Sequence, residues 1–424
     1  MKKLRIGLAG LGTVGKGVYD ILQKDADLIT RRSGAQLEIV AAFSRTKKDF
    51  LDPKIKFYSN ASDFSNDPQI DVVVEVMGGL TTAKDLIIAA IKSGKKVVTA
   101  NKALLAEQGV EIAKLVEENK GYIGFEASTA GANPIIKGFK EGFAANEITE
   151  FYATLNGTCN FILTKMRDET RDFFETLKEA QALGYAEADP VMDINGTDTA
   201  HKLVILGALA SGSNPQFTKT YIEGIEKVTI EDVKIADQLG YKIKLLAIYR
   251  NLGDMLQQTV YPTLIKKSEK IAQTDGPYNA IVTLGSNSNW NVMIGRGAGG
   301  LTTGSAVVAD IIDIACGRNT SPLFGVKCAD LIEAKIMPIS QRVGKYFLRL
   351  LVDKEMAQKT NLSKMIFGDK INVENAMFFD RENDILCGFI TDAQKEEELL
   401  NVIKNLDSTL VKSVSFLRVE STNF

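Results

Sequence analysis

The sequence predicts an α/β protein: a doubly wound parallel sheet at the N-terminus, an α+β middle region and a C-terminal ferredoxin-like unit. Three observations carry this. Short β-rich runs alternate with longer helical ones through residues 4–126. The first run leads directly into Gly10-Leu11-Gly12-Thr13-Val14-Gly15. From about Pro338 the pattern changes to β-α-β-β-α-β, the order of a split βαβ unit.

Leu4–Ala9 reads as a continuous apolar strand and Thr13–Lys24 as a helix. Leu37–Phe43, Asp71–Met77, Lys96–Thr99 and Tyr122–Glu126 are further strands, with helices over Thr82–Ser93 and Ala103–Asn119. Uninterrupted apolar strands between helices indicate a parallel sheet covered on both faces. After Pro134, Ile148–Leu155 is a strand, Phe161–Glu169 and Phe173–Leu183 are helices, and Gly184–Gly196 is an acidic loop. A long apolar helix over Thr197–Ser211 follows, then strands at Ile243–Arg250, Leu256–Thr263, Asn279–Leu284 and Val292–Ile294. Ser305–Cys316 is a helix suited to pack back on the first domain. The last region holds strands Tyr346–Val352, Ile371–Phe379, Ile385–Thr391 and Val411–Val419, with helices Met356–Ile366 and Lys395–Leu406. The expected domains are 1–133 for a dinucleotide (with 305–330 returning to it), 134–304 for substrate and catalysis, and 338–424.

The 424 residues carry a net charge of −2, which gives no electrostatic reason to expect nucleic acid or a membrane surface as partner. No apolar run approaches the roughly 18 residues a membrane span needs. The start MKKLRIGLAG is not read as a signal peptide, because Asp20, Lys24 and Asp25 follow too soon. Cys159, Cys316, Cys328 and Cys387 form no close pair, so the expectation is a reducing cytoplasm without disulfides or a zinc cluster. The one histidine, His201, excludes any scheme that needs two imidazoles. Proton transfer then falls to lysine, carboxylate, tyrosine, water or that one ring, and His201 is given no catalytic role.

In the glycine motif, Gly10 allows a tight turn, Gly12 lets backbone approach a pyrophosphate, and Gly15 lets helix and strand pack closely. The helix that opens there offers unpaired N–H groups to the anion. Placed between strand and helix, the motif points to a Rossmann dinucleotide site. The second strand ends in Phe43-Ser44-Arg45-Thr46-Lys47-Lys48 and not in an acidic residue. Arg45 with Lys47 or Lys48 suits a 2′-phosphate and favours NADP over NAD; the alternative is a solvated basic turn. Lys102 follows the strand Lys96–Thr99 at the carboxyl end, where open α/β sheets bind ligands, although an exposed lysine starting a helix is common.

Asp198 and Lys202 are one helical turn apart and share a face. Lys202 is followed by an all-apolar stretch, so the helix is expected to be buried and its polar start to line a cleft. Burial disfavours a charged amine while an adjacent carboxylate favours it, and that balance makes a buried ammonium a usable acid–base group. Glu187, Asp189 and Asp193 gather negative charge before the helix. They suit a substrate ammonium or a hard metal ion, without calcium-loop spacing, or form a solvated acidic loop. The cluster Gly295-Arg-Gly297-Ala-Gly299-Gly300 either covers a cofactor or is a flexible turn.

Residues 4 to about 325 resemble homoserine dehydrogenase. The resemblance rests on Gly10–Gly15, on Val97-Val-Thr-Ala-Asn-Lys102-Ala-Leu-Leu-Ala, on Asn156-Gly-Thr-Cys-Asn160, on the glycine cluster before Ser305-Ala-Val, and most specifically on Gly184–Lys202. It implies reversible conversion of L-homoserine to L-aspartate 4-semialdehyde with NAD(P), on the route to threonine and methionine, in a homodimer or homotetramer. It also implies that Lys202 exchanges the proton on the reacting oxygen, with Asp198 hydrogen-bonded near it. Lys102 would sit beside nicotinamide and substrate, and Glu187 and Asp193 would face the substrate amino group. A monovalent cation, usually sodium, is implied at Glu126, Thr129, Gly131 and Asn133, where Thr129 and Asn133 replace commoner apolar residues. Arg296 and Leu301-Thr-Thr303 depart from the family's glycine-cluster wording. Residues from about 338 resemble an ACT regulatory domain, which in this family can bind threonine. Its aspartate–x–proline–glycine turn is replaced by Asp353-Lys-Glu-Met356, so the fold is expected to be kept while amino-acid feedback is left open. The rival readings are a related oxidoreductase acting on another amino-acid aldehyde or imine, and a non-catalytic sensor. The latter has no reason to keep both Lys102 and Lys202.

Overall fold

Six parallel strands build the first sheet: β1 (Lys2–Ala9), β2 (Ala35–Phe43), β3 (Lys56–Tyr58), β4 (Val72–Glu75), β5 (Lys96–Thr99) and β6 (Ile123–Gly124), in the order β3-β2-β1-β4-β5-β6. The computed structural model describes residues 2–318, 322–357 and 362–422. All four residues of β4 are buried, as apolar strands covered on both faces should be. Helices Thr13–Lys24, Thr81–Lys92 and Lys102–Glu118 lie where the apolar spacing puts them. Helix Ala26–Ser33, β3 and helix Ala61–Asn66 are additional, short and set in polar sequence without clear periodicity. The strand order reverses between β1 and β4. This makes a crevice at their carboxyl ends, where the Gly10–Gly15 loop emerges.

Helix Gly300–Cys316 returns to this sheet, and its first residue is the last of the glycine cluster Gly295–Gly300. Residues 289–296 are strand and the helix starts five residues earlier than Ser305, so the loop of the cluster is confined to residues 297–299. A Cβ on Gly17 would lie 2.0 Å from the Gly300 carbonyl oxygen, and one on Gly304 would lie 2.9 Å from Gly17 backbone. Those glycines serve the contact between helices Thr13–Lys24 and Gly300–Cys316, a use that sequence spacing alone does not distinguish from ligand approach.

The second sheet has eleven strands. β7 (Ile148–Thr154), β8 (Tyr221–Ile222), β9 (Tyr241–Asn251), β10 (Leu256–Lys266), β11 (Tyr278–Gly285) and β12 (Asn289–Arg296) belong to the middle region. β13 (Val343–Asp353), β14 (Val373–Asp380), β15 (Asp384–Thr391), β16 (Gln394–Lys395) and β17 (Val411–Glu420) belong to the C-terminal one. The main path is β12-β11-β7-β9-β10-β17-β13-β15-β14. Its last four members, with helices Leu362–Phe367 and Glu396–Lys404, follow the β-α-β-β-α-β succession expected from sequence. The expected helix Met356–Ile366 begins instead at Leu362 among the described residues. Asp353 Oδ1 accepts the backbone N–H groups of Glu355 and Met356, which turns the chain there, and 358–361 lie outside the described residues.

The two regions are joined in one sheet by parallel pairing of Thr263–Ile265 on β10 with Arg418–Glu420 on β17. Buried charges accompany the seam. Arg418 donates to Glu396 Oε1 at 2.6 Å and Glu223 Oε2 at 2.7 Å. Glu420 Oε1 accepts from Arg342 at 2.7 Å and Tyr261 at 2.6 Å, and Glu420 also meets Arg250.

Candidate active site

Helix Thr197–Ser211 is bounded by glycines in the left-handed region, Gly196 at φ 87° and Gly212 at φ 63°, and every residue from Asp198 to Ala208 is buried. An apolar helix in a core leaves its polar first turn nowhere but a cleft. There Lys202 Nζ donates to Asp198 Oδ2 at 2.7 Å and to the Leu155 carbonyl at 2.7 Å. The other oxygen of Asp198, Oδ1, lies 3.1 Å from Lys102 Nζ. Lys102 opens helix Lys102–Glu118, capped by Asn101 Oδ1, which accepts from Leu104 N at 3.1 Å. The first sheet and the middle region thus each send one lysine to a single carboxylate.

Burial alone would raise the Asp198 carboxyl, but Lys202 and Lys102, with hydrogen bonds from Lys202 and Asn156, hold it well below the ordinary range. The Asp198 charge raises Lys102 against the effect of burial, with smaller contributions from Asp193 and Glu187. Asp193 is itself raised, first by burial and then by the neighbouring Asp198. Glu187 and Asp189 are exposed on the rim.

His201 points away from this chemistry. Its Nε2 lies 3.2 Å from Glu107 Oε1, its ring packs on Phe217, and burial lowers its pKa.

Sequence reasoning missed two positions. Asn156 Nδ2 donates to both Asp193 Oδ1 at 2.7 Å and Asp198 Oδ2 at 2.9 Å. Glu75, fully buried at the end of β4, accepts from Thr99 Oγ1 at 2.6 Å and from the backbone of Met77 and Gly78. Thr99 Oγ1 in turn accepts from Asn101 N at 3.0 Å, which fixes the turn leading into Lys102. Asn156 stands in the motif Asn156-Gly-Thr-Cys-Asn160, but its partners lie across the fold. Glu75 was hidden in an apolar strand, where a lone carboxylate is itself the available signal.

The Gly10–Gly15 loop opens the crevice between β1 and β4. Gly10 has φ 104°, and a Cβ there would lie 2.7 Å from the Val76 carbonyl carbon. A Cβ on Gly15 would lie 1.9 Å from the Gly10 carbonyl oxygen, whereas one on Gly12 would meet nothing within 4 Å. Two of the glycines are therefore demanded by packing, and the third faces open space, as a pyrophosphate requires. Leu11 is buried beneath the loop, while Thr13 and Val14 start the helix. The Gly10 N–H bonds the Phe43 carbonyl at 2.9 Å, which holds the end of β2 beside the loop. Arg45, Lys47 and Lys48 follow directly and are exposed.

Glu126 lies on the buried segment after β6. Its carboxylate accepts from Ile136 N at 2.9 Å and Lys137 N at 2.8 Å, and burial together with Asp310 pushes it up to about 7. Ser128 Oγ and Thr129 Oγ1 are buried without a hydrogen-bond partner among the described residues. Gly131 takes φ 60°, and Asn133 Nδ2 donates to the Ala130 carbonyl at 3.1 Å. Among the described residues no group of three or more His, Cys, Asp or Glu is arranged to hold a metal ion, and no helix is long and apolar enough to cross a membrane.

Comparison with known proteins bears on this geometry. Residues 10–126 match the model of the homoserine dehydrogenase NAD-binding domain, and residues 134–312 match that of homoserine dehydrogenase. The chain belongs to the homoserine dehydrogenase family. A homoserine dehydrogenase of Neisseria gonorrhoeae is 41% identical over 433 residues, covering 99% of each chain. The crystal structure of a homoserine dehydrogenase from Thiobacillus denitrificans superposes with TM-score 0.92 at 38% identity, covering 99% of each chain. A hyperthermophilic archaeal homoserine dehydrogenase in complex with NADPH superposes with TM-score 0.63 at 26% identity, over 73% of this chain and 97% of that one. The family is that of a nicotinamide-dependent oxidoreductase, and the first sheet is its NAD-binding domain.

Proposed function

We propose that the chain interconverts L-homoserine and L-aspartate 4-semialdehyde, with NADP as the preferred cofactor and NAD as the second. The observation that carries this reading is the Asp198 carboxylate set between Lys102 and Lys202 at the mouth of the dinucleotide crevice. Bound there, the nicotinamide supplies or accepts the hydride. An ammonium has three N–H bonds, and two of those on Lys202 go to Asp198 and the Leu155 carbonyl, which leaves one for the reacting oxygen. Lys202 gives that proton to the aldehyde oxygen during reduction and takes it back from the hydroxyl in reverse. Asp198 orients the amine, and Lys102 adds positive charge beside substrate and nicotinamide. Asp193 and Glu187 receive the substrate ammonium.

Gly10, Leu11, Gly12, Thr13, Val14 and Gly15 would hold the pyrophosphate, and Arg45 a 2′-phosphate. The open space at Gly12 and the exposed Arg45, which has no ion-pair partner among the described residues, support this assignment. The segment Glu126, Thr129, Gly131 and Asn133 would hold a monovalent cation such as sodium. A buried carboxylate on the same segment as two hydroxyls, Ser128 Oγ and Thr129 Oγ1, that are unpartnered among the described residues suits that charge, and the ion would lock the turn between β6 and helix Ile135–Lys137.

Residues 1–133 with the returning helix act as the cofactor domain, 134–304 as the substrate domain and 338–424 as an ACT-like regulatory unit. A homodimer or homotetramer is expected, since β12 and β14 are left as open edges. The free cysteines suit a reducing cytoplasm. The test of the activity is absorbance at the nicotinamide band with homoserine and each cofactor in turn. Homoserine-dependent reduction of NADP is the expected result, and no change with either cofactor contradicts the reading.

A further inference from the structure

Asn156 is buried and uses its whole side chain. Its Oδ1 accepts Cys159 N at 2.8 Å, capping helix Gly157–Glu169, and its Nδ2 bonds Asp193 at 2.7 Å and Asp198 at 2.9 Å. A primary amide has two N–H bonds, so both are spent on carboxylates. Those carboxylates sit on different elements, Asp193 on helix Val191–Ile194 and Asp198 on helix Thr197–Ser211, with Gly196 between them in the left-handed region. Like charges drive them apart. Asp198 has two lysines to hold it, but among the described residues Asn156 is the one hydrogen-bond partner of the Asp193 side chain.

The same helix start is tied to the acidic segment twice more. Thr158 Oγ1 donates to the Tyr185 carbonyl at 2.6 Å, and the Cys159 thiol to the Asp193 carbonyl at 3.2 Å.

We propose that Asn156 is a positioning residue that sets the spacing between Asp193 and the Asp198–Lys202 pair, and so between the two ends of the substrate. This rests on the proposed roles of Asp193 as amine receptor and Lys202 as proton carrier. One oxygen of Asp193 is held by the amide and the other is left for the ammonium. A substrate whose amine and reacting carbon match that spacing is bound at both ends. The amide therefore acts chiefly on substrate affinity, because the lysines keep Asp198 in place without it.

The discriminating variant is Asn156→Ser. Serine caps a helix as well as asparagine does, so a residue that serves only as a cap tolerates the change with unaltered kinetics. A residue that bridges two carboxylates does not, because the short hydroxyl cannot span both. The expected result is a KM for homoserine raised by about ten-fold or more, the loss typical of hydrogen bonds to charged groups, with a smaller fall in kcat. Binding of NADP remains that of the parent protein, while the melting temperature falls, since two carboxylates lose a buried hydrogen-bond donor. Wild-type KM overturns the proposal. Should Asn156→Ser not fold, Asn156→Asp keeps cap and shape but sets a third carboxylate against the pair; it is expected to raise KM further, and an unchanged KM overturns the proposal equally. Lys202→Ala is measured in parallel. Full activity in that variant removes the site assignment itself, whereas an inactive Lys202→Ala beside a normal Asn156→Ser removes only the role of Asn156.

Discussion

Lys102 and Lys202 come from different sheets' helices and meet on opposite oxygens of one buried carboxylate, Asp198, at 3.1 and 2.7 Å. Neither domain holds the arrangement alone. Lys102, beside the first sheet, is fixed by the Glu75–Thr99–Asn101 chain of hydrogen bonds, and Lys202, in the middle region, by a helix whose remaining length is core. Two ammonium groups this close repel unless a negative charge lies between them, and Asp198 stays ionised for that reason.

The exposed guanidinium of Arg45 stands just beyond β2, beside the glycine loop. Paired with a 2′-phosphate it makes charge-assisted hydrogen bonds that NAD cannot offer. Arg45→Ala is expected to raise the Kd of NADP by about ten-fold, the loss of one such contact, and to leave that of NAD nearly unchanged. Equal weakening of both, measured by fluorescence titration, contradicts the assignment.

Gly17→Ala tests the return of helix Gly300–Cys316. The new Cβ would lie 2.0 Å from a backbone oxygen that no side-chain rotation can move. Overpacking of this kind costs about 1–3 kcal/mol, so the melting temperature falls. Because Gly17 lies on the helix that opens at the Gly10–Gly15 loop, NADP affinity is expected to fall with it. A variant with unchanged melting and binding contradicts the packing role.

Glu420 ties β17 to the middle region. Burial would raise its carboxyl, but Arg250, Arg342 and the Tyr261 hydroxyl bring it from 4.5 to about 2. A depressed carboxyl stabilises the fold above its unfolded pKa and loses that contribution as pH falls through the folded one. Stability from this group is thus complete above about 4.5 and lost as pH falls toward about 2. Glu420→Gln leaves buried arginines short of a counter-charge, at a cost of about 3–5 kcal/mol at neutral pH. Denaturant titrations across this window should show a shallower acid limb in the variant, and parallel pH profiles contradict the linkage.

Local patterns were readable in proportion to how strongly neighbours dictated them. Helix Thr197–Ser211 and the end of β5 matched the sequence reading at both boundaries, because flanking glycines and unbroken apolar runs mark them. The strand–turn–helix around Gly10–Gly15 was legible for the same reason. Relations across the fold were not. The bridge from Asn156 to Asp193 and Asp198, the seam of β10 with β17, and the use of Gly17, Gly300 and Gly304 in helix contact all join segments far apart in the chain. A glycine at a helix contact and a glycine under a phosphate are written with the same letter. Met356 and Ala357 were read as the start of a helix and are not helical, because Asp353 uses its side chain to turn the backbone there.

The most direct test is Lys202→Ala, read as single-turnover hydride transfer from homoserine beside NADP affinity. The account predicts a fall in turnover of about 10²–10⁴, the usual range for a positioned acid–base group, with the cofactor bound as before. Turnover at the parental rate in a folded variant would show that the proton on the reacting oxygen travels by another group.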